Sequence, residues 1–297
     1  GGGGKVVVLA FASNRADFVR PQFEGLRAFL REDFVYVVVN DAPNPELREG
    51  VHAVAAALSR EHHVLEFVPP SPGAGWGKTY DAAVRCGETI NWALHKVVRR
   101  LWPGSRVAIV DNDMFLTDFF SVDAFLQGGV AIGGRRTESD EAHSTWFRYP
   151  ANQVLLLDLA KLPDVHEVDM LPAKVRGVQG DVGALLCEYL ERHPQVKVRW
   201  MRVAYLPCVS GAGDGGADLA RDDKVAMSLL PAGVLRACRG MEASVGRPVA
   251  LQFNERVWLH YGQASNYAYG PAFYLSRLHM EPEKQRLVAE YLRRRVA

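Results

Sequence analysis

The segment Arg106–Thr117, RVAIVDNDMFLT, constrains the rest of the chain more than any other stretch. Val107, Ala108, Ile109 and Val110 are apolar at consecutive positions, so both faces of the strand they form must be covered, as in the centre of a sheet between helices. The strand then runs straight into two carboxylates. Asp111 and Asp113 flank Asn112, and side chains two apart in an extended segment share a side. Both can therefore face one hard divalent cation, which takes oxygen donors and leaves room for phosphate oxygens. The triplet alone also suits a turn capped by Asp111 with Asp113 in water, and by itself that plainer reading would prevail.

What surrounds the triplet changes this. Lys5–Ala12, KVVVLAFA, reads as a β-branched strand, followed by a polar turn at Ser13, Asn14 and Arg15 and a helical pattern through Phe18, Phe23, Leu26, Phe29 and Leu30. Phe34–Val39 is a second apolar strand, ending in Asn40, Asp41, Ala42 and Pro43. Parallel strands with polar groups at their carboxyl ends build the crevice in which open α/β sheets bind nucleotides. Residues 44–63 hold a short helix and Val64–Val68 a third strand. Pro69–Gly77 is a loop by composition, and Lys78–Leu101 is a long helical pattern that leads into the central strand. Asn91 lies on that helix, where its amide can face a nucleotide or simply water.

Beyond the triplet, Val122–Leu126 reads as a short helix, and Val130–Ile132 and Val154–Leu159 as strands. Gly177–Tyr189, GVQGDVGALLCEY, sets Asp181 between glycines at the start of a helix running to about Arg192, where an acid also serves as a plain N-cap. Val196–Val203 is a strand. Ser210–Gly216 is a glycine-rich loop without the GK[ST] ending of a phosphate cradle. Val257–Tyr267 places His260 at the end of a short strand, and Pro282–Val296 forms a helical tail. There is no internal repeat and no linker, so a single domain is expected over 5–297, with 5–117 as a nucleotide-binding half and 118–297 as an acceptor-binding half with its C-terminal helix.

With 297 residues, 48% of them hydrophobic, and 35 basic against 34 acidic side chains, the chain suits a globular enzyme and offers no nucleic-acid surface. The basic end Arg293–Arg295 reads as a solvated helix terminus or, less simply, as a peripheral membrane contact. Cys86, Cys187, Cys208 and Cys238 are widely spaced with no CxxC, which argues for reduced thiols in a cytoplasmic protein rather than for zinc or disulfides. No apolar run approaches the roughly 18–20 residues that span a bilayer, and no signal-peptide pattern is expected at the start.

The order of these pieces resembles the GT-A family of nucleotide-sugar-dependent glycosyltransferases. It looks closest to the small bacterial and large-DNA-virus enzymes that carry a DSDMF-like motif and end in an HYxxxSNW-like segment. Here these stand as DNDMF, Asp111–Phe115, and HYGQASNY, His260–Tyr267, with Asn112 in place of a small residue and Tyr267 where Trp is usual. The resemblance implies an α/β fold with a Rossmann-like mixed sheet flanked by helices. It implies that Asp113, with Asp111 directly or through water, holds Mn²⁺ or Mg²⁺ on the diphosphate of a nucleotide-sugar donor, UDP-linked, and that His260 is a further metal ligand. A nitrogen ligand beside carboxylates favours Mn²⁺. Gly262, Ser265 and Asn266 would then offer donors to phosphate. Asp41 would take the uracil or ribose, with Asn14 and Arg15 beside it, and Asn152 would touch the donor sugar. Turn formation is the competing role for Asp41, Asn14 and Arg15, and a hydrogen-bonded core histidine is the competing role for His260.

Transfer to a glycan or other hydroxyl acceptor builds negative charge on the leaving diphosphate, and an inverting enzyme also needs a carboxylate to take the acceptor proton. Asp181 is the candidate for that base. Trp146 and Tyr149 can stack on a sugar or pack in the core. Two other activities fit parts of the pattern. A haloacid-dehalogenase-like phosphatase would use Asp111 as nucleophile, with Asp222, Asp223 and Lys224 downstream, but Phe115 stands where that motif needs Thr or Val. A non-catalytic sugar-nucleotide-binding protein would keep the fold without the chemistry.

Overall fold

A computed structural model describes residues 5–13, 15–42, 44–59, 61–68, 82–138, 148–206, 251–261 and 281–296. In chain order the elements are β1 (Val6–Ala12), α1 (Val19–Phe29), β2 (Phe34–Asn40), α2 (Pro45–Ala56), β3 (His62–Glu66), α3 (Ala82–Trp92) and, after a π-helical Ala93–Val98, α4 (Arg99–Leu101). There follow β4 (Arg106–Asp111), β5 (Met114–Leu116), α5 (Val122–Phe125), β6 (Val130–Glu138), β7 (Arg148–Asp158), β8 (Lys174–Val175), β9 (Val178–Gln179), α6 (Leu186–Arg192), β10 (Lys197–Met201), β11 (Val203–Leu206), β12 (Leu251–Asn254), β13 (Trp258–His260) and α7 (Glu281–Val296). They fall into two compact units that interleave along the chain. Unit 1 takes Gly1–Arg20, Arg31–Asn112 and Ser121–Met201, and unit 2 takes Pro21–Leu30, Asp113–Phe120 and Arg202–Ala297.

Unit 1 is the α/β body that the sequence pattern predicts. Its seven-stranded sheet has the order β3-β2-β1-β4-β7-β6-β10. β1 runs parallel to both β2 and β4, whereas β7 is antiparallel to β4 and β6, so the sheet is mixed. Every residue of β1 and β2 is buried, as expected of strands covered on both faces. Ile90, Ala93, Leu94 and Val98 of the α3–α4 stretch join Val7, Leu9, Val35, Val37, Val107 and Ile109 in one core cluster. Full burial of such side chains stabilises by about 1.5–3 kcal/mol each. Asn44 caps α2 by accepting the Leu47 N–H at 2.9 Å, and Pro45 opens the helix with φ already set. The order reverses between β1 and β4, and in an open sheet ligands bind beyond the strand ends at such a reversal.

Unit 2 holds the antiparallel four-stranded sheet β11-β12-β13-β5. Trp258 faces Leu116, Leu259 faces Phe115 and His260 faces Met114. Gln22 on α1 donates to the Met114 carbonyl at 2.9 Å, and a Cβ on Gly25 would come within 2.5 Å of the Leu116 carbonyl oxygen, so the helix backbone lies directly on β5. At the other end of the chain, Arg295 on α7 donates to the Thr117 carbonyl at 2.7 Å and pairs with Asp118 at 2.8 Å. One of the three terminal arginines is therefore an internal tie.

Several boundaries differ from the sequence expectation. The stretch Val196–Val203 is two strands, β10 and β11, placed in two different sheets. β7 begins at Arg148, so Asn152 lies within a strand rather than ahead of one. The helix after Asp181 begins only at Leu186, because Gly183 at φ +89° turns the backbone out of the helical path. No helix among the described residues is long and apolar enough to cross a membrane.

Candidate functional site

In unit 1 the carboxyl ends of β1, β2 and β4 carry the first group. Asp41, just past β2, is buried, and its carboxylate accepts from Ser13 Oγ at 2.5 Å and from Arg85 Nε at 3.1 Å. At the end of β4, Asp111 Oδ1 accepts the Asn112 N–H at 2.9 Å, and Asn112 Nδ2 donates to the Arg15 carbonyl at 2.9 Å. The Arg15 guanidinium lies 3.8 Å from the Phe18 ring centroid and pairs with Asp17 at 2.8 Å.

Cys86 on α3 meets one of the other candidates. Its Sγ accepts from Asn152 Nδ2 at 3.6 Å. Burial pushes the thiol well above its usual range, and the charges of Asp111, Asp41 and Asp181 push it further. Asp181 itself is exposed, and its backbone is fixed. Its N–H donates to Tyr149 Oη at 2.8 Å, while its Oδ1 accepts the Val182 N–H at 2.8 Å. Tyr149 is buried and supports Asp181 from beneath, and burial also pushes its phenol up. Asn91 is spent within the fold: Nδ2 donates to Asp169 at 2.6 Å and Oδ1 accepts the Met170 N–H at 2.9 Å.

In unit 2 the pairing of β13 with β5 determines the second group. Because His260 stands opposite Met114, it also reaches the residue before it: His260 Nε2 is 3.2 Å from Asp113 Oδ1, with both side chains buried. The Tyr261 N–H donates to the Asp113 carbonyl at 2.8 Å, which fixes both residues through the backbone. Two adjacent ligands of one ion, each about 2.2 Å from it and at right angles, lie about 3.1 Å apart. One carboxylate oxygen and one imidazole nitrogen at this spacing supply two of the donors that a divalent cation of borderline character takes.

Asn14, Trp146, Gly262, Ser265 and Asn266 lie outside the described residues, as do Asp222, Asp223 and Lys224. Among the described residues, the one group of three potential ligands whose atoms all lie within 4.8 Å of one another is Asp164, Glu167 and His193, where the Glu167 carboxylate already accepts from Arg192 at 3.2 Å and meets His193 at 3.3 Å. Sequence reasoning missed Arg85. A single cation in the small and apolar run AAVRCG signals a buried partner, because arginine is almost never fully buried unless paired.

No protein-family model matches the chain, and no curated protein does. Among solved structures, the chain is similar to mouse xyloside xylosyltransferase 1 in its apo form, at 14% identity over 66% of this chain and 85% of that one, with a TM-score of 0.38. An active-site mutant of LgtC is 17% identical over 74% of this chain and 82% of that one, with a TM-score of 0.39. The galactosyltransferase LgtC in complex with donor and acceptor sugar analogs is 17% identical over 65% of this chain and 66% of that one, with a TM-score of 0.36.

Proposed function

We propose that this protein is a metal-dependent glycosyltransferase that moves a sugar from a nucleotide-sugar donor, UDP-linked, to a hydroxyl acceptor on a glycan with inversion at the anomeric carbon. The observation that carries this reading is the buried Asp113–His260 pair at 3.2 Å, which joins the acidic triplet in the middle of the chain to the late histidine motif. The mixed sheet supports it, with Asp41 and Asp111 at the carboxyl ends of β2 and β4, the two parallel strands that flank β1.

In this reading Asp113 and His260 would hold Mn²⁺ or Mg²⁺, and the bound cation would supply Lewis-acid stabilisation of charge on the leaving diphosphate; Asp111 is a proposed further ligand on the strength of the motif resemblance alone. Asp41, held by Ser13 and Arg85, presents a fixed carboxylate to the nucleoside, beside the Arg15 turn. Asn152, held at Cys86, contacts the donor sugar. Asp181 takes the acceptor proton, and because its amide is tied to Tyr149 and one carboxylate oxygen to Val182, the group needs little ordering before it acts. Gly262, Ser265, Asn266, Asn14 and Trp146 remain proposed contacts for phosphate, nucleoside and sugar on the strength of the motif resemblance.

The test is a panel of UDP-, GDP- and other sugar nucleotides, with hydrolysis and transfer followed with and without Mn²⁺. Metal-dependent turnover of one donor class is expected. Release of phosphate from simple phosphomonoesters, with no turnover of any sugar nucleotide, would overturn the reading.

A further inference from the structure

Three residues spaced by four along one helical face, Gly87, Asn91 and His95, meet the same short segment, Val168–Leu171. Gly87 brings the helix against it with no side chain between, since a Cβ there would lie 2.7 Å from the Met170 carbonyl oxygen and 2.9 Å from Leu171 Cα. Asn91 uses both ends of its amide, donating to Asp169 Oδ1 at 2.6 Å and accepting the Met170 N–H at 2.9 Å. His95 Nε2 meets the Val168 carbonyl at 2.7 Å. Asp169 Oδ1 also accepts the Leu171 N–H at 2.9 Å, so the Asn91 contact and the shape of the segment share one oxygen.

The same segment carries the Asp181 turn. The Met170 carbonyl accepts the Gly183 N–H at 2.8 Å, the Leu171 carbonyl accepts the Leu185 N–H at 3.5 Å, and the Ala173 carbonyl accepts the Gly180 N–H at 2.8 Å. The position has to be glycine, because φ is +89° and a Cβ would lie 2.9 Å from the Pro150 carbonyl oxygen. The height and tilt of the turn therefore depend on where residues 168–171 lie, together with Ala173 and the Tyr149 hydroxyl that accepts the Asp181 N–H.

We infer that Asn91 is a positioning residue for Asp181: it clamps Val168–Leu171 to the helix, and that segment holds the turn from which the Asp181 carboxylate projects. This rests on the reading of Asp181 as the acceptor base. Catalysis is sensitive to such placement, since a shift of about 1 Å far from the chemistry can cost about a hundredfold in rate. Asn91 acts here through the segment and not by touching the donor.

Two substitutions at one position test this. Asn91→Asp removes the donated hydrogen bond and sets two carboxylates against each other, and Asn91→Leu removes both hydrogen bonds of the amide without adding a charge. Each is expected to lower kcat about tenfold or more while changing the donor KM less than about twofold. Amide exchange at Gly183 and Leu185 should accelerate in both variants. A raised donor KM with kcat unchanged would make Asn91 a donor contact and overturn the inference. So would faster amide exchange with unchanged kcat, or parental exchange rates in both variants. Full activity in Asp181→Asn would instead overturn the reading of Asp181 as base, and the exchange rates, which need no turnover, separate that result from failure of the clamp.

Discussion

Arg85 Nε donates to Asp41 Oδ2 at 3.1 Å, and both side chains are more than nine-tenths buried. A buried charge left without its partner destabilises far more than the intact pair stabilises. Arg85→Met should therefore cost about 3–5 kcal/mol by leaving the buried Asp41 carboxylate without its cation, whereas Arg85→Met combined with Asp41→Leu should recover most of the loss. Urea unfolding of the two variants checks this, and equal destabilisation would show that the two side chains are not coupled.

Asp181→Asn keeps an oxygen for the Val182 amide and leaves the Tyr149 contact untouched, so only the capacity to take a proton is removed. Transfer should fall by about 10²–10⁴ in kcat, with UDP and metal binding nearly unchanged. Steady-state kinetics together with calorimetric titration of UDP give the comparison. Retention of full activity would move the base elsewhere.

His95 gives a dependence on pH. Burial holds its imidazole below the usual histidine range; Arg99 and Lys96 add to this, and the Val168 carbonyl and Asp169 oppose it. The unfolded chain therefore takes the proton first, at about pH 6.5. The contribution is fully present above that value and is lost as pH falls from there through the folded pKa. Gln can still donate to Val168 without titrating, so His95→Gln should lose less stability than the parent between about pH 7.5 and about pH 5.5. Urea midpoints across that range measure the difference, and parallel curves would remove His95 from the account.

Much of unit 1 was legible because its signals are local. The apolar runs at Val6–Ala12, Phe34–Asn40 and Arg106–Asp111 announce buried strands, and Asn44 with Pro45 announces a helix start. The two motifs mark Asp113 and His260, but their 3.2 Å separation depends on the register of β13 against β5, which no sequence window contains. The delayed start of α6 was hidden for a related reason. Gly183 reads as an ordinary glycine until its positive φ and the nearby Pro150 carbonyl are seen. The same holds for Asn91, exposed on a helical wheel yet engaged by a segment that arrives much later in the chain.

Manganese titration monitored by calorimetry, in the presence of UDP, tests the central claim most directly. The parent protein should bind Mn²⁺ saturably, and Asp113→Ala and His260→Gln should each weaken that binding at least about tenfold while circular dichroism remains that of the parent. Unchanged Mn²⁺ affinity in both variants, or no binding by the parent, would make the pair a structural contact within the β5–β13 sheet and contradict the metal-dependent transferase.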